Sequence, residues 1–112
     1  MRIFYRNKGV EVDVKKTSFL GRLSGLMFRT REAENLLFDF GRSANISLHS
    51  LFVFFDFLVL WLDENDRVID FKIVKPFALK VNCGRFFRKI VEIPINDKNI
   101  KIVHFFVGKR KV

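Results

Sequence analysis

Apolar and polar positions alternate along most of this chain, at the two-residue period of half-buried strands. Residues 2 to 6 and the strictly alternating Val10-Glu11-Val12-Asp13-Val14 predict a first hairpin. Its turn falls at Asn7-Lys8-Gly9, with Gly9 free to take positive φ. The period then changes. Phe19, Leu20, Leu23, Leu26 and Met27 follow Thr17 and Ser18, two good N-cap residues, at helical spacing. They predict one short helix over about residues 18 to 27, packed across a sheet. Strand alternation resumes at Leu36, Phe38 and Phe40, and Gly41 to Asn45 reads as a loop. Further strands are expected over 68–74, over Phe77, Leu79, Val81 and Cys83, over 87–95 up to the Pro94 region, and over 100–107.

Between these lies an apolar run of seventeen residues, Ile46 to Leu62, interrupted by Asp56 and followed by Asp63-Glu64-Asn65-Asp66. A spanning helix needs about twenty mostly apolar residues. An aspartate at mid-membrane costs about 3 kcal/mol on insertion scales. The run is rich in Phe, Val and Leu, which suit strands. It therefore predicts two strands meeting near Phe54-Phe55-Asp56 and no membrane span. Phe57 to Leu62 is apolar at every position, so that strand should be central and covered on both faces.

Composition narrows the class. At 112 residues the chain is one domain, and its fifteen phenylalanines supply a large core. A single cysteine, Cys83, excludes an internal disulfide framework and reads as a small core residue. The two histidines, His49 and His104, are too far apart in sequence to suggest a zinc motif, so neither metal nor cofactor is expected. No apolar stretch suited to a signal peptide follows the N-terminus, which implies a cytoplasmic protein. Glutamine is absent and charged residues are plentiful, a balance that fits heat adaptation or a coding bias toward Phe, Ile, Lys and Asn.

The net charge is +9, and it is uneven. Residues 45–70 hold −4, which leaves +13 on the remainder. Such an excess attracts polyanions such as nucleic acid. Arg85-Phe86-Phe87-Arg88-Lys89 interleaves cations with rings, the mixture that single-stranded nucleic acid sites use. Arg85, Phe86, Arg88 and Lys89 are its candidate contacts, with Phe87 facing the core. No glycine-rich phosphate loop, dinucleotide fingerprint or nucleophile elbow is present.

Asp56 is the candidate ligand-contacting carboxylate, since a carboxylate inside an apolar run must be paired or hydrogen-bonded. The alternative is a turn carboxylate that accepts backbone N–H groups. His49 and Ser50 offer a base and a hydroxyl, but adjacent strand residues point to opposite faces. Arg29 either caps the preceding helix or binds an anion.

Six segments occur in an order that resembles a known family. These are Gly25-Leu26-Met27-Phe28-Arg29, Leu37-Phe38-Asp39-Phe40, Phe55-Asp56, Asp63-Glu64-Asn65-Asp66-Arg67-Val68, Pro76-Phe77 and Val91-Glu92-Ile93-Pro94. Over Val12 to Ile95 the chain is similar to the uncharacterised family known as domain of unknown function 192. The resemblance implies a compact, mainly β fold: a small closed or partly closed antiparallel barrel or sandwich with one short packed helix. It implies no activity. The chain departs from the family pattern at Ser47-Leu48-His49-Ser50 and at Asn96, where a glycine is usual. Together these features predict a non-enzymatic module for a small or anionic ligand near Asp56, His49 and Arg29. A basic nucleic-acid-binding protein is the alternative, and an enzyme using Asp56 the weaker one.

Overall fold

The computed structural model describes residues 1–17, 26 and 28–108. The chain opens with a hairpin of β1 (Arg2–Tyr5) and β2 (Lys8–Glu11), in antiparallel register with Ile3 opposite Val10. Its turn differs from expectation. Arg6 and Asn7, at φ 50° and 65°, make the left-handed corner, and Gly9 lies in the strand opposite Phe4. Two successive left-handed residues match the right-handed strand twist, so this turn closes a hairpin better than a corner at Gly9 would.

A five-stranded sheet forms the body, in the order β3-β4-β7-β5-β6. The strands are β3 (Lys15–Lys16), β4 (Leu36–Ala44), β5 (Phe57–Leu62), β6 (Val68–Val74) and β7 (Phe87–Pro94). Only the β3–β4 pair in this sheet is parallel. β4 runs on through the segment read as a loop, with its register broken between Asp39 and Ala44. Asp39 accepts the Gly41 N–H at 2.8 Å there, and Gly41 has φ 69°. That bond holds the Asp39 carboxyl below the usual carboxylate range, helped by the Lys89 and Arg88 charges. The hairpin joins the free edge of β6 through Phe4 and Arg67, and the Phe4 N–H donates to the Asp66 carbonyl at 2.9 Å. The sheet does not close into a barrel.

β5 is an interior strand, flanked by β7 and β6, and is buried at all six positions, as its unbroken apolar pattern predicts. Its residues serve two cores. Phe57, Val59 and Trp61 join Leu36, Phe38 and Ile90 with the loop residues Leu26, Leu48, Val53, Phe55, Val81 and Cys83. Leu58, Leu60 and Leu62 join Ile3, Val12, Val91 and Ile93 with Val103 and Phe106. Burial of each such aliphatic or aromatic side chain contributes about 1.5–3 kcal/mol. No helix among the described residues is long and apolar enough to cross a membrane.

Four expected elements differ or lie elsewhere. Residues 100–107, read as a strand, form the helix α1 (Ile100–Val107) that buries Val103 and Phe106 on the second core. A short, mostly apolar run broken only by Lys101 and His104 has no decisive period, and the polar segment Asn96–Asn99 starts a helix here. Asn96 Oδ1 accepts the Asn99 N–H at 2.9 Å, and Gly108 ends the helix with its N–H on the His104 carbonyl. Residues 77–83 and the first half of the long run, 46–53, form loops joined by one bridge, Leu48 to Val81. Left-handed Phe52 and Phe77 break any longer ladder. The helix expected at 18–27 falls outside the described residues except for Leu26, which is fully buried.

Candidate functional site

Three loops converge at one end of the sheet: residues 28–35, 46–56 and 75–83. Ser50 ties two of them together. Its Oγ donates to the Lys75 carbonyl at 2.7 Å and accepts the Ala78 N–H at 2.7 Å. Its own N–H donates to the Ala78 carbonyl, and its carbonyl accepts the Phe77 and Val53 N–H groups. The third loop joins where the Phe28 N–H donates to the Phe52 carbonyl at 2.9 Å. Ser50 is completely buried, so each of these bonds replaces one that water would otherwise make.

This scaffold turns phenylalanines outward. Phe28, Phe52, Phe54 and Phe77 are 69%, 47%, 61% and 48% exposed. Phe28 stacks on Phe52 at 5.1 Å between ring centroids and 19° between planes. Phe77 stands edge-on to Phe52 at 6.3 Å and to Phe54 at 5.4 Å. Phe28, Phe52 and Phe77 also hold φ of 62°, 62° and 60°. A left-handed conformation costs a bulky L-residue about 1–2 kcal/mol, and persists only where the surroundings over-determine it. The platform is therefore both solvent-facing and conformationally strained.

Phe54 also lines an open cleft of about 290 Å3 with Arg31, Phe55, Asp56, Pro76 and Ile95. Two bonds fix its walls. The Ile95 N–H donates to the Asp56 carbonyl at 3.0 Å, and Asn96 Nδ2 donates to the Arg31 carbonyl at 2.9 Å. The Asp56 carboxylate pairs with Lys75 Nζ at 2.6 Å and is about one-third exposed. Its partner is thus a side-chain ammonium, not the turn N–H groups that the structural alternative required. Arg31 has no ion-pair partner among the described residues.

Behind the cleft lies a chain of buried amides. Asn35 and Asn99 donate to each other's side-chain oxygens at 3.3 and 3.0 Å. Asn99 Nδ2 also reaches the Pro94 carbonyl, and Asn35 Nδ2 the Asp13 carbonyl. Asn96, a departure from the family pattern in sequence, is thereby a structural residue linking the helix start to the Arg31 loop. The neighbouring Glu92 is fully buried in β7.

Of the three residues expected to form the site, only Asp56 lines the cleft. His49 is half-buried, and its Nδ1 accepts the Leu51 N–H at 3.3 Å. Arg29 is exposed beside Phe28, its N–H on the Leu26 carbonyl. No hydrogen bond or ion pair joins any two of them among the described residues. Ser50 Oγ is fully engaged with the backbone, so it is no nucleophile for His49. Sequence reasoning overlooked Arg31 and the outward Phe52, Phe54 and Phe77. The alternation Phe52, Val53, Phe54, Phe55 carried that signal, since Val53 and Phe55 are buried and their neighbours are not.

The four residues proposed for nucleic acid are dispersed. Lys89 Nζ is held by Asp66 at 2.5 Å and is mostly buried, while Arg88 Nε lies 3.7 Å from Asp39. Arg85 and Phe86 remain exposed, with Arg85 donating to the Ile69 carbonyl at 3.3 Å.

Comparison with known proteins assigns the fold. The family model DUF192, described as "Uncharacterized ACR, COG1430", matches residues 3–101. The UPF0127 protein TK1120 of Thermococcus kodakarensis is 39% identical over 64 residues, 55% of this chain and 41% of that protein. The UPF0127 protein PH1112 of Pyrococcus horikoshii is 35% identical over 78 residues, 69% of this chain and 67% of that protein. The match thus spans less than half the length of the first of these relatives. Among solved structures, a Sinorhizobium meliloti 1021 protein provisionally named a transcription regulator superposes with a TM-score of 0.68 at 15% identity. That match covers 91% of this chain and 82% of the other. A protein of unknown function from Novosphingobium aromaticivorans DSM 12444 gives a TM-score of 0.59 at 12% identity, over 79% of this chain and 67% of the other. At such identities the likeness is one of fold alone.

Proposed function

This chain belongs to the DUF192 family, and from that premise we propose that it is a non-catalytic binding module whose ligand lies on the three-loop end. The ligand class is a small molecule with an apolar face and an anionic edge. The observation that carries this is the platform of four exposed phenylalanines, three of them held at positive φ, beside a cleft whose Arg31 has no ion-pair partner among the described residues. Rings facing water lose the burial that normally places them inside, and strain concentrates where a surface is shaped for contact. The cleft falls at the low end of the roughly 300–1,000 Å3 usual for small-molecule pockets. It therefore takes the polar end of a ligand while the rest lies on the rings. Arg31 supplies the bidentate partner for a carboxylate or phosphate. Asp56 neutralises Lys75 at the rim and so sets how much positive charge the cleft presents. The non-catalytic reading is supported by the engaged state of Ser50 and by the lack of contact between His49 and Asp56 among the described residues.

Benzoate, with benzyl alcohol as its uncharged counterpart, tests this reading by amide-resolved NMR titration. Benzoate should shift amides of 28–31, 52–56 and 75–78, and benzyl alcohol should shift them less. Arg31→Ala should weaken benzoate. Asp56→Asn should strengthen it by freeing Lys75, while the fold loses less than about 1 kcal/mol, since the pair is partly exposed. Shifts scattered over the whole surface, or none at these loops, would overturn the assignment.

A further inference from the structure

A second groove, independent of the three-loop end, lies where the hairpin meets the edge of β6. It has a volume of about 670 Å3 and is lined by Phe4, Tyr5, Arg6, Asn7, Asn65, Arg67 and Val68. That volume is within the range of small-molecule sites. Two turns form its sides. Arg6 and Asn7 are left-handed in one, and Asp66, at φ 61°, is left-handed in the other. The bond from the Phe4 N–H to the Asp66 carbonyl holds the turns side by side.

The charge arrangement is what makes the groove a candidate. The turn 63–66 is acidic in sequence, yet two of its carboxylates are engaged. Asp63 Oδ1 accepts the Asn65 and Arg67 N–H groups at 2.8 and 3.0 Å, and Asp66 holds Lys89. Glu64 is exposed and does not line the groove. Arg6 and Arg67 have no carboxylate partner among the described residues. The Arg6 guanidinium lies 5.2 Å from the centre of the Tyr5 ring, a cation–π contact that restrains it. Phe4, 40% exposed, offers a ring face, and Asn7 and Asn65 offer amides that both donate and accept.

We propose that this groove binds a phosphate joined to a planar base, as in a nucleoside monophosphate or a 5′-phosphorylated strand end. The two guanidinium groups take the phosphate oxygens, a bidentate geometry suited to arginine. The base stacks on Phe4, and the two asparagines meet the polar edges of sugar or base.

The full chain should be titrated with adenosine 5′-monophosphate, inorganic phosphate, adenosine and the 5′-phosphorylated dinucleotide of adenosine, read by amide shifts. The monophosphate should shift amides of 4–7 and 65–68 saturably, phosphate should shift the same amides more weakly, and adenosine least. Arg6→Ala and Arg67→Ala should each weaken the monophosphate about fivefold, the upper end for an ion pair at an open surface. Arg67→Lys, which keeps the charge and loses the fork, should fall between. Arg85→Ala, an exposed arginine outside the groove, should change nothing. Tighter binding of the dinucleotide identifies a strand end as the source, and equal binding identifies the free nucleotide. An equal loss in Arg85→Ala, non-saturating shifts spread over the basic surface, or adenosine binding as well as its phosphate would overturn the proposal.

Discussion

Replacing Ser50 by alanine removes one buried hydroxyl and leaves two part-buried backbone groups, the Lys75 carbonyl and the Ala78 N–H, without that partner. Each unsatisfied group costs about 1–3 kcal/mol, so Ser50→Ala should lower the melting temperature by several degrees. It should also detach the loop carrying Phe77 from the loop carrying Phe52, visible as faster exchange of the Phe77 amide. An unchanged melt would show that the loops hold without the hydroxyl. Cys83 makes a second point at this scale. It is buried in the first core, and burial pushes its thiol above the usual thiol range, partly offset by the Arg85 N–H. The thiolate is the reactive form. Cys83 should therefore react with a thiol reagent at neutral pH far more slowly in the folded protein than in denaturant. Equal rates in the two states would contradict its burial.

The strained aromatic residues belong to the scale of the element, because their conformation is imposed by the loops around them. Asparagine tolerates the left-handed region better than phenylalanine does. Phe77→Asn should therefore leave the melting temperature unchanged or raise it, the lost ring contacts offset by relief of about 1–2 kcal/mol of strain. Benzoate binding at the three-loop end should weaken in the same variant. A clear fall in stability would mean that the rings hold the loops together rather than serve a ligand. The same loops mark where sequence reading succeeded and failed. β5 and β6 were legible because their patterns are unambiguous, one apolar throughout and one alternating. Residues 77–83 alternate as cleanly as β6, yet they form a loop. The alternation records burial of Val81 and Cys83, and Pro76 with left-handed Phe77 denies the segment a ladder. For α1 the pattern was ambiguous, and the deciding bonds came from Asn96, a residue read only as a departure. Asp56 was legible as a carboxylate that must find a partner, because it stands inside an apolar run, and Lys75 is that partner. Arg31 was not, since its place in the cleft depends on a bond from Asn96, sixty-five positions away.

At the scale of the whole molecule, stability rests on the two cores sharing β5 and β7. Among the described residues no group of three His, Cys, Asp or Glu side chains is placed to hold a metal ion. The single cysteine leaves no internal disulfide. A thermal melt should accordingly be unaffected by a chelator or a reductant, and a drop of several degrees with either would show an unrecognised cross-link or ion. The sheet order has one more consequence. β7 is the latest of the strands in the chain, yet it lies between β4 and β5. On the ribosome, then, the middle of the sheet is made last. Until residues 87–94 emerge, β4 and the β5–β6 pair have no common neighbour, and both present bare hydrogen-bonding edges of the kind that invites mispairing. A nascent chain of this sequence therefore holds its most apolar strand, β5, without its β7 neighbour until synthesis of the sheet is complete.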